Sequence, residues 1–207
     1  MLYSGGLLIA VSGPSGAGKG TICRKLVEKR DDVMISVSAT TRAPRPGETE
    51  GVHYYFKTKE EFTRMIQNGD LVEWVEYCDN YYGTPKQPLL DGIKTGNVYI
   101  LEIEMEGTLN VKKQFPESIL IFVVPPEFAD LRRRIESRNS EKECDIVKRL
   151  ERAKKEINIA HQYDYLVVND DLDKATDLVE NIIEVERTRV CRNKDFINNY
   201  IREGKKC

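Results

Sequence analysis

The sequence has 207 residues, enough for one hydrophobic core with appendages, and its 40% hydrophobic and 32% charged residues are typical of a soluble globular protein. The 32 basic and 34 acidic residues give a net charge of -2, so any basic site is a local cluster and general nucleic-acid binding is disfavoured. The longest apolar run near the N-terminus, residues 7–11, is too short for a signal-peptide core or a membrane span.

Cysteine and histidine usage indicates a reducing compartment and no structural metal. The five cysteines are scattered and form no C-x-x-C pair, and neither His53 nor His161 has a second ligand nearby in the sequence. We therefore predict a cytoplasmic protein that has no disulfide framework and no membrane partner.

The chain begins with a predicted strand, loop and helix. Residues 7–11 are apolar without alternation, which is typical of a strand buried on both faces of a parallel sheet. Ile22, Leu26 and Val27 recur at helical spacing and predict a helix from Thr21 to about Arg30. A glycine-rich loop therefore lies between the end of a strand and the start of a helix.

A change in composition marks residues 36–96 as an inserted lobe. Tyrosine, proline, glycine and charged residues dominate this segment, and no long buried strand is predicted in it. One short helix has a clear start in a capping box of Thr58 and Glu61 and a clear stop at Gly69.

After the lobe, the buried-strand pattern returns over residues 98–105, 118–124 and 165–168, and it alternates with amphipathic helical patterns. Strands that alternate with helices favour an α/β fold, with a three-layer core in which helices flank a parallel sheet.

We predict three parts of the chain. The core comprises residues 1–35, 97–130 and 153–207, the inserted lobe comprises residues 36–96, and a helical lid comprises residues 131–152.

The glycine-rich loop matches G-x-x-x-x-G-K and has the required strand and helix on either side; it reads Gly13-Pro14-Ser15-Gly16-Ala17-Gly18-Lys19-Gly20-Thr21. Its glycines allow backbone N–H groups to face phosphate oxygens, and the helix N-terminus adds a positive dipole end. Lys19 supplies a full charge, so nucleotide phosphate binding is favoured over a simple glycine-rich turn. Ser or Thr usually follows this lysine and contacts Mg²⁺. Because Gly20 stands there instead, we expect contact through Thr21 or through water.

Several further segments distinguish among the enzymes that use such a loop. They read SVSATTRAPRPGE over 36–48, GVHYYF over 51–56, Glu73-Trp74, NYYGT over 80–84 and VNDDLDKA over 168–175. In this order and spacing, over roughly residues 7–188, the chain closely resembles the guanylate kinases. The resemblance implies transfer of the γ-phosphoryl group of ATP to GMP, giving ADP and GDP, with Mg²⁺ as cofactor. It also implies small-molecule substrates, and we expect a monomer or a homodimer.

The lobe contains the residues expected to bind GMP. Pro44 and Pro46 stiffen the loop that carries Arg42 and Arg45, so two guanidinium groups can converge on one phosphate. The alternative is a solvated basic turn. The resemblance implies that the phenolic groups of Tyr54 and Tyr82 contact that phosphate. It also implies that the hydroxyl groups of Ser38 and Thr84 contact guanine.

Glu73 explains a preference for guanine. One carboxylate can accept hydrogen bonds from both N1–H and the exocyclic amino group of guanine, whereas N1 of adenine is an acceptor. Without the resemblance, Glu73 would be interpreted as an ordinary surface glutamate.

Residues 101–107 alternate apolar and acidic side chains. The pattern predicts that Glu102, Glu104 and Glu106 lie on one face at the end of a core strand, where ligands of open parallel sheets bind. Guanylate kinases usually have Leu-Asp-Ile-Asp here, followed by an apolar residue and Gln. The resemblance therefore implies that Glu102 lies near Mg²⁺ and Glu104 near guanine, although each side chain is one methylene longer. The alternative is an exposed strand face.

The predicted lid contributes positive charge. Arg134, Arg138 and Arg149 match the lid arginines of the family, and Arg138 with Asn169 resembles its adenine-binding pair. Acidic residues lie among these arginines, so a solvated surface is the alternative. Arg152, with Arg132 and Arg133, is interpreted as a surface residue.

The implied reaction needs no general base, because the attacking phosphate oxygen of GMP is already ionised. Catalysis then consists of in-line positioning and charge neutralisation by Lys19, Mg²⁺ and the lid arginines. Two rivals remain open. A non-catalytic binding module of the same fold is disfavoured by the intact loop, and a GTPase would require N-K-x-D, which the string at 193–196 lacks because Phe196 occupies its last position.

Overall fold

The computed structural model describes residues 5–77, 79–136 and 143–204 of the chain. Five parallel strands form its main sheet, in the order β2-β7-β1-β8-β9. The strands are β1 (Leu7–Ser12), β2 (Val33–Ile35), β7 (Val98–Glu102), β8 (Ile119–Val124) and β9 (Tyr165–Val168).

Strand β1 is the centre of two hydrophobic clusters because both of its faces are covered. Leu7, Ile9 and Val11 pack with α1 (Lys19–Lys29) and α7 (Leu172–Arg187) on one face. Leu8 and Ala10 pack with α3 (Lys86–Lys94) and α4 (Met105–Gln114) on the other. Helices therefore flank a parallel sheet in three layers, which confirms the predicted fold class.

The inserted lobe contains a four-stranded sheet that was not predicted. It has the order β4-β3-β6-β5, and its strands are β3 (Ser38–Thr40), β4 (Tyr54–Phe56), β5 (Leu71–Tyr77) and β6 (Asn80–Pro85). Helix α2 (Lys59–Asn68) has the predicted capping box and ends at Gly69. Phe62 of α2, Ala39 and Leu71 form a small separate core for the lobe.

The predicted strand over residues 98–105 is too long. Strand β7 ends at Glu102, and α4 begins at Met105 with Glu104 as its extended N-cap residue. The prediction that three carboxylates share one strand face is therefore wrong, since Glu106 lies in the first turn of α4. Helix α3 falls inside the range predicted for the lobe, yet its Leu89 packs in the core of the main sheet.

The predicted lid, residues 131–152, contains parts of two helices, α5 (Phe128–Glu136) and α6 (Glu143–Asn158). Arg138 lies outside the described residues. The chain continues beyond α7 into α8 (Lys194–Gly204), whose apolar stripe of Phe196, Ile197, Tyr200 and Ile201 is exposed. In the part of the chain that the structure describes, no helix combines the length and the apolar character needed to cross a membrane.

Candidate active site

The glycine loop occupies its predicted position between β1 and α1. Gly18 is the N-cap residue of α1 and has a left-handed backbone with φ 92°. A side chain at this position would also collide with the amide of Asn169. Among the described side chains none caps the start of α1, so the backbone N–H groups there are directed at the space in front of the loop.

Lys19 arches back over the loop. Its Nζ donates hydrogen bonds to the carbonyl oxygens of Gly13 at 2.5 Å and Pro14 at 3.3 Å. The ammonium group is thus held at the mouth of the loop, where the terminal phosphates of a bound nucleotide would add to its contacts.

Residues from three other elements hold the carbonyl side of the loop. The Asn169 amide, which follows β9, donates to the Ala17 carbonyl at 2.8 Å, and Asn169 is only 7% exposed. Arg134 of α5 donates to the Asn169 carbonyl at 2.9 Å and to the Ala17 carbonyl at 3.4 Å. Arg149 of α6 donates to the Ser15 hydroxyl at 3.3 Å. The structure therefore brings Arg134, Arg149 and Asn169 to the loop.

Four of the predicted GMP-binding residues form one row across the sheet of the lobe. Tyr54 is the register partner of Ser38, and Thr84 is the register partner of Glu73. Because Ala39 pairs with Gly83 in the antiparallel β3–β6 ladder, Ser38 and Thr84 are the next opposed positions. Directly opposed residues of neighbouring strands lie on the same face. The row therefore presents Tyr54, Ser38, Thr84 and Glu73 together, although they are far apart in the sequence.

Glu73 is buried, contrary to its interpretation as a surface glutamate from local sequence. It is 8% exposed, and its Oε1 accepts a hydrogen bond from the Thr84 hydroxyl at 2.7 Å. A side chain at Gly107, in the first turn of α4, would place its Cβ 2.8 Å from the Glu73 Oε2. Burial raises the pKa of the Glu73 carboxyl, and the hydrogen bond from Thr84 opposes this shift.

A β-bulge orients Glu73. The register of β5 and β6 shifts between Leu71 and Glu73, and such a shift changes which face a side chain occupies. The backbone carbonyl of Val72, within this bulge, accepts a hydrogen bond from the Gln114 side chain of α4 at 2.8 Å. Helix α4 thus stabilises the strand distortion that directs Glu73 into the row.

The Glu48 carboxylate, which was not predicted to have a role, holds Arg42. Its guanidinium forms two hydrogen bonds with Glu48, at 2.8 and 3.0 Å, and its Cζ lies 5.5 Å from the centre of the Tyr54 ring. The Arg42 guanidinium lowers the pKa of Glu48 to about 2. Arg45 donates its backbone N–H to Glu48 at 2.7 Å, and its side chain is exposed. The described contacts therefore hold one guanidinium at the predicted phosphate position, and they do not show the second one joining it.

Tyr82 lies beside Tyr54, with ring centroids 6.2 Å apart in an edge-to-face arrangement. Tyr82 pairs with Thr40 two positions along β6 from Thr84, so it lies on the same face of the sheet as the row. Both predicted phenolic groups thus border the Arg42 guanidinium.

The acidic residues of the 101–107 segment separate in the structure. Glu102 ends β7 beside the glycine loop, where a Cβ at Gly20 would lie 3.0 Å from both of its carboxylate oxygens. Glu104 accepts a hydrogen bond from Arg152 of α6 at 2.8 Å, and Arg152 also donates to Glu156 at 3.0 Å. Burial raises the pKa of Glu156. Arg152 is exposed, as predicted for a surface residue, and its spacing of four from Glu156 is the local signal for one of these two contacts.

The site is compatible with Mg²⁺. Within residues 5–77, 79–136 and 143–204, no three His, Cys, Asp or Glu side chains form a group that could hold a metal ion by themselves. Mg²⁺ usually keeps several waters and uses one or two carboxylates together with substrate phosphates. The Glu102 carboxylate beside the phosphate-binding loop meets that requirement, whereas the Thr21 side chain is exposed on the first turn of α1.

The string at 193–196 has a structural role in this fold. Asn193 is 5% exposed, and its side-chain amide donates to the carbonyl oxygens of Arg187 at 2.8 Å and Arg189 at 2.9 Å. It therefore fastens the turn between α7 and α8, which removes the last support for a GTPase guanine motif.

Comparison with known proteins agrees with this geometry. The sequence model of the family described as Guanylate kinase matches residues 6–186. A guanylate kinase of Caldanaerobacter subterraneus subsp. tengcongensis is 50% identical over 191 residues, which cover 92% of this chain and 93% of that protein. A guanylate kinase of Clostridioides difficile is 44% identical, with 98% and 99% covered. The crystal structure of guanylate kinase from Anaplasma phagocytophilum has a TM-score of 0.75 at 35% identity, and the match covers 93% of this chain and 92% of that one.

Proposed function

The chain belongs to the guanylate kinase family and is an ATP:GMP phosphotransferase, and we propose that GMP binds along the residue row of the lobe while ATP binds at the glycine loop. The buried pair of Glu73 and Thr84 is the observation that carries this assignment of the two sites. The pair is a buried polar position inside the lobe.

Guanine recognition follows from the chemistry of that pair. Glu73 has a carboxylate in a water-poor position, and guanine offers N1–H and an amino group that can satisfy it. Adenine would leave the buried carboxylate facing an acceptor, which costs far more than a missing contact in water. Ser38, next in the row, supplies a further hydroxyl for the base.

The GMP phosphate would bind at the other end of the row. Arg42 is already oriented there by Glu48 and by the Tyr54 ring, and Tyr82 adds a phenolic donor. Arg45 would join when a phosphate is present, since its exposed side chain belongs to the same loop.

The donor side would bind ATP through the backbone of residues 13–21 and through Lys19, Arg134 and Arg149. We propose that Arg138 and Asn169 contact the adenine and that Arg138 also contributes charge. The acceptor oxygen of GMP is ionised, so these groups need only align the two phosphates and neutralise charge, without a covalent intermediate.

Magnesium would be held at the loop by Glu102, with Thr21 as a second candidate, and Glu104 would lie on the acceptor side. When bound, Mg²⁺ neutralises charge on the ATP phosphates.

We also propose that the lobe of residues 36–96 and the lid of residues 131–152 close over the substrates and exclude water. The scattered cysteines favour the cytoplasm as the site of action. Burial is the main cause that raises the pKa of the Cys23 thiol to about 12. The protein would act as a monomer or a homodimer.

The acceptor preference tests the assignment directly. ADP release would be measured by a coupled assay with GMP, AMP, UMP and dTMP as acceptors at matched concentrations. We expect GMP to be preferred by at least ~100-fold in kcat/KM, because a buried acceptor group rejects a base that lacks the matching donors. A similar rate with AMP would remove the proposed role of the row.

The substitution Glu73→Gln tests the residue itself. We expect the KM for GMP to rise roughly 10- to 100-fold, since hydrogen bonds to a charged group are worth about 1.5–3 kcal/mol, while the KM for ATP stays within about twofold. Glu76→Gln, an exposed glutamate on the same strand, is the matched control. An equal loss in both variants would contradict the proposal.

The raised pKa of Glu73 adds a pH signature. Burial makes the folded protein hold this proton to higher pH than an unfolded chain does, so the stability of the ligand-free protein falls as pH rises through that interval. GMP binding favours the ionised carboxylate, so GMP affinity should increase over the same interval. Both trends should disappear in Glu73→Gln, as measured by thermal unfolding and by titration of GMP.

A further inference from the structure

Two departures from the usual sequence patterns meet at one point in the fold. Gly20 stands where Ser or Thr normally follows the loop lysine, and Glu102 stands where the family usually has Asp. A Cβ added to Gly20 would lie 3.0 Å from each carboxylate oxygen of Glu102 and 3.3 Å from its Cδ. The two positions therefore contend for the same small volume.

Strand pairing explains why they meet. Glu102 is the last residue of β7 and the register partner of Val11 on β1, so its side chain projects from the sheet edge at which the glycine loop begins. Gly20 lies in the first turn of α1, directly after the loop. The Glu102 charge, after burial, is the second cause of the raised pKa of Cys23, on the next turn of α1.

Side-chain length determines what fits. A serine or threonine at position 20 would place its Cβ 3.0 Å from both Glu102 oxygens, a tight contact that shifts the carboxylate by a few tenths of an ångström. An aspartate at position 102 would withdraw its carboxylate by roughly 1.5 Å, the length of one carbon–carbon bond. Glycine with glutamate, or serine with aspartate, places one oxygen-bearing group at this point without a tight contact; serine with glutamate crowds it, and glycine with aspartate withdraws the carboxylate from it.

We propose that Gly20 and Glu102 form a matched pair, in which the longer glutamate places its carboxylate oxygen where a loop hydroxyl normally stands, facing Mg²⁺ on the ATP phosphates. This inference rests on the proposed role of Glu102 at the metal. It assigns to the glutamate the function of the missing hydroxyl, so that the usual sequence of the loop is not needed in this chain.

Four proteins form a cycle that tests the pair: the natural chain, Gly20→Ser, Glu102→Asp and the double variant. Retention of Mn²⁺ by the ATP complex would be measured by electron paramagnetic resonance, and unfolding of the ligand-free proteins by thermal denaturation. We expect each single variant to weaken Mn²⁺ binding about tenfold, as displaced metal-site groups do. The double variant should recover to within about threefold of the natural chain.

Two further variants sharpen the result. Gly20→Ala combined with Glu102→Asp fills the volume but supplies no hydroxyl, so it should stay as weak as the single variants. Glu106→Asp, the same shortening in the first turn of α4, should leave Mn²⁺ binding unchanged.

Additive losses in the double variant would overturn the pairing, and so would single variants that bind Mn²⁺ like the natural chain. In either case, GMP-dependent ADP release by these proteins would show separately whether the kinase assignment still stands.

Discussion

The glycine loop and the GMP lobe are prepared in different ways. The loop is held from outside, because the groups that fix its carbonyl oxygens and the Ser15 hydroxyl come from three elements: Asn169 after β9, Arg134 of α5 and Arg149 of α6. The lobe is held mainly by contacts within it, to which Gln114 of α4 adds one hydrogen bond at Val72. Thr84 positions Glu73 across one hairpin, and Glu48 positions Arg42 within one loop.

This difference indicates how each site responds to motion. The lobe has its own sheet and its own small core around Phe62, so the Thr84 and Glu48 contacts can move with it as a unit. The hydrogen bond from Gln114 of α4 to the Val72 carbonyl is the contact beside Glu73 that such a movement would change. The loop depends on lid residues, so movement of α5 or α6 changes its surroundings directly. Damage to the donor side should therefore spread, whereas damage to the lobe should stay local.

The largest effect is expected on the donor side from Lys19→Ala. Lys19 is the full positive charge at the mouth of the loop, and loss of one preorganised charge at developing negative charge lowers kcat by about 10³-fold. Steady-state turnover with saturating ATP and GMP would measure it. Lys59→Ala, at the exposed start of α2, is the control. Turnover within tenfold of the natural chain would mean that the loop does not hold the reacting phosphates.

Local sequence signals were sufficient where one short segment determines its own structure. The unbroken apolar run of β1 and the glycine loop lie where they were predicted, and α1 begins at Lys19 rather than at the predicted Thr21. Burial on both faces and helix periodicity act within a few residues, so these elements can be predicted locally. The same holds for α2, whose capping box and terminal glycine are contacts along the chain. Arg134, Arg149 and Asn169 lie at the loop in the structure, and their roles toward ATP stay predictions.

Local sequence does not predict structures that depend on partners far along the chain. The strands β3 and β4 have three residues each, too few to show alternation; β3 pairs with the distant β6, and β4 pairs with β3. Helix α4 was hidden by an alternating acidic pattern that imitates a strand. Glu48 pairs with Arg42, and Arg152 pairs with Glu104, only in the folded protein. In the sequence these residues look like ordinary surface charges.

A smaller effect, still on the donor side, is expected from Asn169→Ala. This change leaves the Ala17 carbonyl with the longer hydrogen bond from Arg134, at 3.4 Å, and the loss of one hydrogen bond costs about 0.5–1.5 kcal/mol. We expect the ligand-free protein to unfold at lower temperature and the KM for ATP to rise about tenfold, with little change for GMP. Asn181→Ala, exposed on α7, is the matched control. If Asn169 contacted only adenine, the KM for ATP would rise without any loss of stability.

The smallest effect is expected within the lobe from Glu48→Gln. The variant keeps the size of the side chain but removes the charge that orients Arg42, so the KM for GMP should rise about three- to tenfold, the cost of a partly exposed charged contact. The KM for ATP should stay unchanged, because no donor-side residue is among the described contacts of Glu48.

The pH dependence of the KM for GMP in Glu48→Gln tests whether the Glu48 carboxylate acts by orienting Arg42. Arg42 holds the pKa of Glu48 at about 2, below the ordinary value of 4.5, so the pair is intact above pH ~4 and is lost only as pH falls toward 2. The ratio of KM values for GMP between Glu48→Gln and the natural chain should therefore be constant from about pH 5 to 9. Glu76→Gln serves again as the control. If the variant raised the KM for ATP as much as that for GMP, the lobe would not be self-contained, and both sites would share one network.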